Sequence, residues 1–439
     1  MAANQEGGTA HRRRRVGGRF LEIPPPCLPI VAVPNTETAS RTFRLDCARM
    51  VFAGFLESAA TTFLLLIAVR YLQAGAWAKA AVAAGGNLGL LLSPVAVSWV
   101  ERSRLPATLG ASRVLAVGGA ACFLPALLPT LWLFVPASVL AMATSSAVVP
   151  LMTHVYHDNY PADRRGKLFA RSFMLRILGS MAFAWLGGRF LDLHPGAFRW
   201  LLVVFGVSFL AASALVRRIP SQPLRDSGGD HPLHALHFVR EDRVFRQTLI
   251  VWMFMGFANL MMLPLRVEYL GNPRYGMAAS ASEIAWLTGV IPNLARLVMN
   301  PVWGWLFDRV NFFALRASLN MGFALGILTF FTSDSTTGLF LGAIVYGISN
   351  AGGDVAWGLW VTKIAPPGRV ADYMSVHTFL TGIRGIFAPM AAFHLCQRFS
   401  MPVLGLGSAA LIAIPSLMLL PEIWRWKNRE TGSRTPSTP

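Results

Sequence analysis

The residues most able to do chemistry in this sequence are ionisable side chains inside otherwise apolar stretches. Glu57, Arg176, Arg296, Asp354 and Arg384 all have predominantly apolar neighbours on both sides. The rise of a helix places Asp354 and Arg384 roughly 13–18 Å from the nearest charged helix end. A charge at that depth in hydrocarbon costs at least about 2.5–3.5 kcal/mol, so these groups are predicted to have a function.

Glu57 and Asp354 are the carboxylates of this set, and they are candidate proton carriers. A carboxylate removed from water holds its proton more readily, and a nearby arginine reverses that effect. Relative movement of the two groups would therefore bind and release a proton. The alternative is a permanent ion pair between helices, such as Asp354 with Arg384, because buried ions normally pair.

Arginines outnumber carboxylates in the set, since Arg176, Arg296 and Arg384 face only two acids. Arginine recognises carboxylate and phosphate groups through paired hydrogen bonds. This balance predicts an anionic organic substrate. The alternative for each arginine is that it extends to the membrane surface or faces another helix.

Asn259, Trp357 and His377 are predicted to complete the wall of the same substrate and ion cavity. His377 is also a candidate proton relay, because its ordinary titration range lies near neutral pH. The histidines and cysteines of the chain show no spacing typical of metal ligands, so no metal and no cofactor is predicted.

Composition requires that these residues be positioned by helices in a membrane. Hydrophobic residues make up 54% of the 439 and charged residues 14%, whereas soluble domains carry about 25% charged residues. The net charge of +18 comes from basic residues in short connections, a distribution that argues against nucleic acid as a partner. An integral membrane protein, in contact with the lipid bilayer, is therefore predicted.

The predicted fold class is an all-α membrane protein with about twelve transmembrane helices in two pseudo-symmetric six-helix bundles. Each apolar stretch has the length of about 20 residues that spans a bilayer. The predicted divisions are a disordered basic and Pro-rich cytoplasmic arm (1–45), an N-terminal bundle (46–217), a cytoplasmic linker (218–246), a C-terminal bundle (247–424) and a cytoplasmic tail (425–439). Basic residues concentrate in the connections on one side, which predicts that both termini are cytoplasmic.

Short sequence echoes indicate that the two bundles are repeats. Gly54-Phe55-Leu56-Glu57 echoes Gly256-Phe257-Ala258-Asn259, and Asn87-Leu88 echoes Asn293-Leu294. Together with Pro94 and Pro301, these matches fall at offsets of 202 to 207 residues. Duplicated six-helix halves are typical of transporters.

The connection between the eighth and ninth spans resembles a loop motif of the major facilitator superfamily. The matching residues are Gly304, Leu306, Asp308 and Arg309, while Asn311 replaces the next expected glycine and no basic run follows. The first-half copy has Val97 at the glycine position and Glu101-Arg102 at the end. The resemblance implies two six-helix bundles around a central cavity that opens alternately to each side, lined by the first, fourth, seventh and tenth spans.

A carboxylate at such a helix end can pair with an arginine and with the amide groups of a neighbouring helix. We therefore predict a gate formed by Gly304, Asp308, Arg309, Glu101 and Arg102. The alternative is that these are ordinary charges at helix ends.

The sequence contains no metalloprotease, phosphate-loop or nucleophile-elbow motif, which argues against an enzyme and against an ATP-driven pump. The prediction is a monomeric secondary transporter of a small solute, with H+ as a second candidate partner. Two alternatives stay open. One is efflux of hydrophobic cations or drugs, and the other is a sensor or scaffold on the same fold, because a fold does not determine a function.

Overall fold

A computed structural model describes residues 36–161, 164–223, 237–333, 335–366 and 370–425. These residues form twelve long helices, ten of which are long and apolar enough to cross a membrane. The predicted all-α fold of about twelve helices is therefore confirmed. The first bundle consists of α1 Thr36–Tyr71, α2 Ala76–Arg102, α3 Ala107–Leu127, α4 Leu131–Asn159, α5 Arg165–Leu193 and α6 Phe198–Arg217. The second consists of α7 Arg243–Gly271, α8 at 281–309, α9 Phe312–Phe331, α10 Thr336–Leu359, α11 Val370–Leu395 and α12 Met401–Arg425.

The boundaries differ in places from the predicted divisions. Helix α1 begins at Thr36, inside the segment predicted as a disordered arm, and residues 1–35 lie outside the described residues. The predicted linker contains a short helix, His237–Glu241, and the start of α7 at Arg243, whereas 224–236 lie outside the described residues. The predicted tail falls outside them from 426 onward. Polar residues near a helix start do not prevent helix formation when tertiary contacts support it, and this explains the earlier start of α1.

Side-chain caps set the starts of several helices in the second bundle. The carboxylate of Asp242 accepts a hydrogen bond from the Phe245 amide at 2.9 Å and begins α7. Asn311 accepts from the Phe313 amide at 2.7 Å and begins α9. Ser280 and Glu283 form a reciprocal capping box at the start of α8. Each cap satisfies amides that the helix itself leaves unpaired, and so fixes where the helix begins.

The repeated glycines occupy equivalent close contacts in the two bundles. Gly54 of α1 packs against the backbone of α5 at Arg176 and Ser180. Gly256 of α7 packs against the guanidinium group of Arg384, which belongs to α11. A side chain at either glycine would collide with the neighbouring helix. The α1–α5 and α7–α11 pairs are therefore structural counterparts.

The repeated asparagines join the bundles to each other. Asn87 of α2 contacts Gly385 of α11 so closely that a Cβ atom at Gly385 would overlap the amide. Asn293 of α8 donates to the Ser180 hydroxyl of α5 at 3.2 Å. The two crossings between bundles, α2 with α11 and α5 with α8, thus use the same residue type at repeated positions.

Contacts between the bundles concentrate on the face opposite the first and last described residues, which we call the distal face. The terminal face is the one where α1 begins at Thr36 and α12 ends at Arg425. Distal contacts include the ion pair of Lys79 Nζ with Glu268 Oε1 at 2.6 Å. The Thr62 and Thr288 hydroxyls form a hydrogen bond of 2.8 Å.

Asp192, the penultimate residue of α5, completes this closure. Its carboxylate accepts hydrogen bonds from the amides of Ala281 at 2.8 Å and Ser282 at 3.0 Å, at the start of α8. A negative charge at a helix N-terminus is favourable because it meets the unpaired amides and the positive end of the helix dipole. The distal face is therefore closed by charge as well as by packing.

We predict that Gly54→Ala lowers the melting temperature of the purified protein in detergent. The added Cβ would lie 2.6 Å from the Ser180 amide nitrogen, so α1 and α5 must separate, at a typical cost of about 1–3 kcal/mol. Gly407→Ala is the matched control, because its Cβ would meet nothing within 4 Å and alanine favours the helix by up to about 1 kcal/mol. Equal melting temperatures for the two variants would contradict the close α1–α5 contact.

Candidate functional site

Four of the predicted residues form one network at the middle of the molecule. Arg176 Nε lies 2.6 Å from Glu57 Oε2, and Arg296 Nη1 donates to Glu57 Oε1 at 2.6 Å. The Nε of Arg296 also forms an ion pair with Asp354 Oδ2. The order is Arg176, Glu57, Arg296, Asp354, with alternating sign, and we call this the charge chain.

The charge chain crosses from one bundle to the other. Glu57 and Arg176 belong to α1 and α5 of the first bundle, whereas Arg296 and Asp354 belong to α8 and α10 of the second. Within the charge chain, the contact between Glu57 and Arg296 is therefore the one that joins the two bundles. Each bundle retains one acid and one base of its own.

Burial increases toward Arg296. The exposed fraction of the side chain is 38% for Arg176, 12% for Glu57, 7% for Arg296 and 28% for Asp354. The ring of Phe173 lies beside both guanidinium groups, 5.3 Å from that of Arg296 and 5.5 Å from that of Arg176. Glu57 and Arg296 depend most on their ion partners, because little water reaches these two charges.

A cavity of about 380 Å³ adjoins the charge chain on the terminal side. Glu57 and Arg176 lie in its wall near mid-depth, and Arg49 and Tyr156 lie in its wall toward the terminal face. The remaining lining is mostly apolar and includes Met50, Met142, Met152, Phe169 and Phe173, with the hydroxyls of Thr61, Ser145 and Ser146. An apolar pocket with a few convergent polar groups is typical of a small-molecule site.

A second polar cluster at the terminal end of this cavity was not predicted from the sequence. Asp46 Oδ1 accepts hydrogen bonds from Arg49 Nη2 and from the Tyr156 hydroxyl, both at 2.8 Å. Asp46 is fully buried, and its Oδ2 has no hydrogen-bond partner among the described residues. The spacing of Asp46 and Arg49, three residues apart on one helix, was the available signal. It was missed because both residues lie at the edge of the predicted N-terminal bundle, beside the segment predicted as a disordered arm.

Arg384 is not part of the charge chain, and the pairing suggested between Asp354 and Arg384 is wrong. Arg384 Nη1 donates instead to the backbone carbonyl of Trp252 at 2.5 Å, in a position that Gly256 leaves open. Among the described residues, no hydrogen bond or ion pair joins Arg384 to Glu57, Arg296 or Asp354. Asp354 pairs with Arg296 because α8 and α10 are neighbours in the second bundle.

His377 and Trp357 lie together in a cluster of aromatic rings. Their ring centroids are 5.7 Å apart, and His377 lies 5.2 Å from the rings of both Trp252 and Trp360. Asn259 occupies a third place, beside Arg266 and Tyr346 at a void of about 10 Å³, which is the size of one water molecule. The predicted single cavity is thus divided among three places.

The predicted gate residues lie at the terminal face, where α2 and α8 end. Asp308 and Arg309 are exposed at the end of α8, and Arg309 stacks on Trp305 of its own helix at 4.7 Å. Asp308 forms no ion pair with any residue that the structure describes. Glu101 and Arg102 end α2, and the space around Gly304 is open. A closed distal face and a solvent-exposed Asp308 therefore belong to the same conformation.

The described part of the chain contains no group of three or more His, Cys, Asp or Glu residues placed to hold a metal ion. At the charge chain, the carboxylates of Glu57 and Asp354 can exchange protons, and the guanidinium groups of Arg176 and Arg296 can bind anions.

Comparison with known proteins agrees with this architecture. The sequence model of the Major Facilitator Superfamily matches residues 50–311 and 267–439. No curated protein matches the chain in sequence. The fold is similar to that of the nucleoside transporter NupG, in a point-mutant form, with a TM-score of 0.71 and 13% identity over 87% of this chain and 99% of that one.

Two further solved structures share the fold. A D-xylose-proton symporter has a TM-score of 0.62 and 15% identity, over 87% of this chain and 96% of that one. The human organic anion transporter MFSD10 has a TM-score of 0.58 and 14% identity, over 87% of this chain and 98% of that one. At these identities the likeness shows the fold alone.

We predict that Arg296→Met lowers the free energy of unfolding by about 3–5 kcal/mol, because it leaves Asp354 buried without a cation. The double variant Arg296→Met, Asp354→Asn should recover most of that loss, since Glu57 keeps Arg176 as its partner. The measurement is thermal unfolding in detergent, followed by tryptophan fluorescence. Arg296→Met combined with Glu422→Gln, an acid of α12 that is paired with the exposed Arg425 and has no contact with the charge chain, is the control and should show no recovery. Equal recovery in both double variants would contradict the pairing.

Proposed function

Because the chain belongs to the major facilitator superfamily, we propose that it is a proton-coupled secondary transporter of a small organic anion. The observation that carries the proposal is the charge chain, which links the two bundles beside a cavity large enough for a small solute. Proteins of this family are transporters and, in general, not enzymes. We further propose that the chain works as a monomer, since its cavity and charge chain are built from one copy.

The balance of charge supports joint binding of a proton and an anion. The charge chain contains two arginines and two carboxylates, so its net charge is zero when all four are ionised. A proton on Glu57 removes one negative charge and leaves Arg176 in need of a partner. An anionic group of the solute then supplies it, through the paired hydrogen bonds that guanidinium favours. A proton and an anion together leave the buried charge unchanged, which keeps the electrostatic cost low.

The arrangement also supports alternating access. Only the contact between Glu57 and Arg296 crosses between bundles within the charge chain. When the bundles move apart, Glu57 keeps Arg176 and Arg296 keeps Asp354, so no buried charge is left alone. Movement of the bundles therefore breaks one ion pair and leaves every ion with a partner of opposite charge. This lowers the energy barrier to the conformational change.

The present conformation is closed at the distal face. If both termini are cytoplasmic, as the basic residues predict, it is the inward-facing state. In the opposite state we propose that Asp308 and Arg309 of α8 and Glu101 and Arg102 of α2 form contacts that close the terminal face. The exposed positions of Asp308 and Arg309 fit a gate that is open in this conformation.

Two other functions are less well supported. Efflux of hydrophobic cations needs a free carboxylate in the cavity, but Glu57 already contacts two arginines. The apolar lining from Met50, Met152 and Phe169 is the observation in its favour. A sensor or scaffold on this fold needs no paired, mid-depth charges that link moving halves, and it predicts no movement of solute across a vesicle membrane.

We predict that purified protein in liposomes takes up a radiolabelled organic anion faster when the outside is more acidic. Glu57→Gln should abolish that acceleration while keeping exchange of labelled for unlabelled anion, because a glutamine cannot carry the proton but exchange moves no net protons. Asp354→Asn tests the second carboxylate in the same way. Glu422→Gln, which removes an acid near the terminal end of α12 that is paired with the exposed Arg425, is the matched control and should behave as the wild type.

Retention of the pH response in both Glu57→Gln and Asp354→Asn would exclude these residues as proton carriers. Uptake of organic cations in preference to anions would exclude the anion assignment. Absence of any transport across a panel of both classes, with folded protein in the vesicles, would favour the sensor or scaffold.

We predict that Asp192→Asn and Asp308→Asn shift the conformational equilibrium in opposite directions. Asp192 stabilises the closed distal face through two backbone amides of α8, so its neutralisation should open that face. Asp308, as a gate residue of the opposite state, should on neutralisation favour the conformation described here. Spin labels at Arg199→Cys and Thr337→Cys, exposed near the distal ends of α6 and α10, report the distance between the bundles in a background free of natural cysteines. An unchanged distance distribution in Asp308→Asn would remove the gate assignment.

A further inference from the structure

Arg316 and Arg384 of the second bundle have no carboxylate partner among the described residues. Arg316 of α9 is fully buried, and none of its three guanidinium nitrogens has a hydrogen-bond partner. Its contact is with the ring of Trp252, whose centroid lies 3.4 Å from its Cζ atom. Arg384 of α11 has the Trp252 carbonyl and the sulfur of Met253 on Nη1, while its Nε has no partner.

More unpartnered polar atoms surround these two arginines in the described part of the chain. His377 is fully buried, and neither ring nitrogen has a hydrogen-bond partner. Trp252 contacts all three groups, because its ring lies against the Arg316 guanidinium group and 5.2 Å from the His377 ring, and its carbonyl accepts a hydrogen bond from Arg384 Nη1. The indole N–H groups of Trp252 and Trp360 and the hydroxyl of Thr381 are also buried without partners. All of these groups can donate a hydrogen bond, and they come from α7, α9, α11 and the turn that follows α10.

Four other cations are buried among the described residues, and three of them have a carboxylate partner, whereas the fourth, Arg266 of α7, lies 3.7 Å from the ring centroid of Tyr346. Arg49 pairs with Asp46, Lys79 pairs with Glu268, and Arg296 pairs with two carboxylates. An unpaired ion in a low-dielectric interior is costly by several kcal/mol. Stacking on Trp252 satisfies one face of the Arg316 guanidinium group but none of its N–H donors.

The sequence repeat between the two bundles explains why Arg384 lacks a carboxylate partner. In the first bundle Gly54 packs against α5 beside Arg176, and Glu57 one turn later pairs with Arg176. In the second bundle Gly256 packs against Arg384, but the position equivalent to Glu57 is Asn259, a neutral residue. The second bundle thus keeps the arginine of the pattern without its acid, and α9 adds Arg316.

We propose that the second bundle binds a small inorganic anion, such as chloride, between Arg316, Arg384 and His377. The anion takes the place of the missing carboxylate and receives N–H donors from several helices. A compact anion suits the site because Arg316, His377 and Trp360 are all fully buried, and a bulky group would have to displace them. The site is distinct from the charge chain and does not depend on the transport proposal.

Binding is tested on the purified full-length protein in detergent at constant ionic strength. Sodium chloride is exchanged for sodium gluconate, whose anion is too large for the site, and the melting temperature is followed by tryptophan fluorescence. We expect chloride to raise the melting temperature of the wild type by a few degrees and to saturate, because a ligand that binds only the folded state stabilises it. The same measurement in inorganic phosphate and in bromide defines the size and charge of the anion that the site accepts.

Arg316→Met should remove the chloride dependence and melt above the wild type in gluconate, because it removes an uncompensated buried charge. Arg266→Met, which removes a buried arginine of α7 that has no carboxylate partner among the described residues and lies against Tyr346, is the matched control and should keep the chloride dependence. Binding of radiolabelled chloride to the wild-type protein measures the same site without any variant. A wild-type melting temperature that is equal in chloride, bromide, phosphate and gluconate, with no bound radiolabelled chloride, would overturn the proposal.

Discussion

The structure depends on how the buried charge of Arg296 is balanced. Its guanidinium group lies between Glu57 of one bundle and Asp354 of the other, at a depth where water cannot act as a partner. This single side chain therefore couples packing to electrostatics, since the two bundles cannot change position at mid-depth without changing its contacts. The partners are arranged so that each bundle keeps an acid and a base after separation. A membrane protein that must move thereby avoids creating an isolated ion at any stage.

Duplication supplied the framework, and divergence of a few residues supplied the asymmetry. Glycines at Gly54 and Gly256 and asparagines at Asn87 and Asn293 hold equivalent contacts in the two halves. The acid at Glu57 has no counterpart at Asn259, so Arg176 has a carboxylate partner in its own bundle, whereas its counterpart Arg384 has none among the described residues. The helices are thus repeated, while the chemistry they position is different on the two sides.

The distal and terminal faces also differ in how their charged residues are paired. Lys79 with Glu268 and Asp192 with the start of α8 close one face, whereas Asp308 and Arg309 remain exposed at the other. Charges near the ends of the helices cost little when exposed, because water solvates them, and they gain modestly when paired. Such groups are suited to bias an equilibrium between two states without locking either one.

The sequence by itself determined the membrane environment, the number of helices and the repeat, because hydropathy and span length are local properties of the chain. It also identified Glu57, Arg176, Arg296 and Asp354 as functional candidates, since buried charge is visible from composition along a span. Only the tertiary structure decided which charges meet. Asp354 pairs with Arg296 and not Arg384, while Asp46 and Arg316 were not selected at all. The reason is that a helix fixes the depth of a side chain, whereas its partner depends on the rotation and neighbours of the helix, which are set by packing between distant parts of the chain.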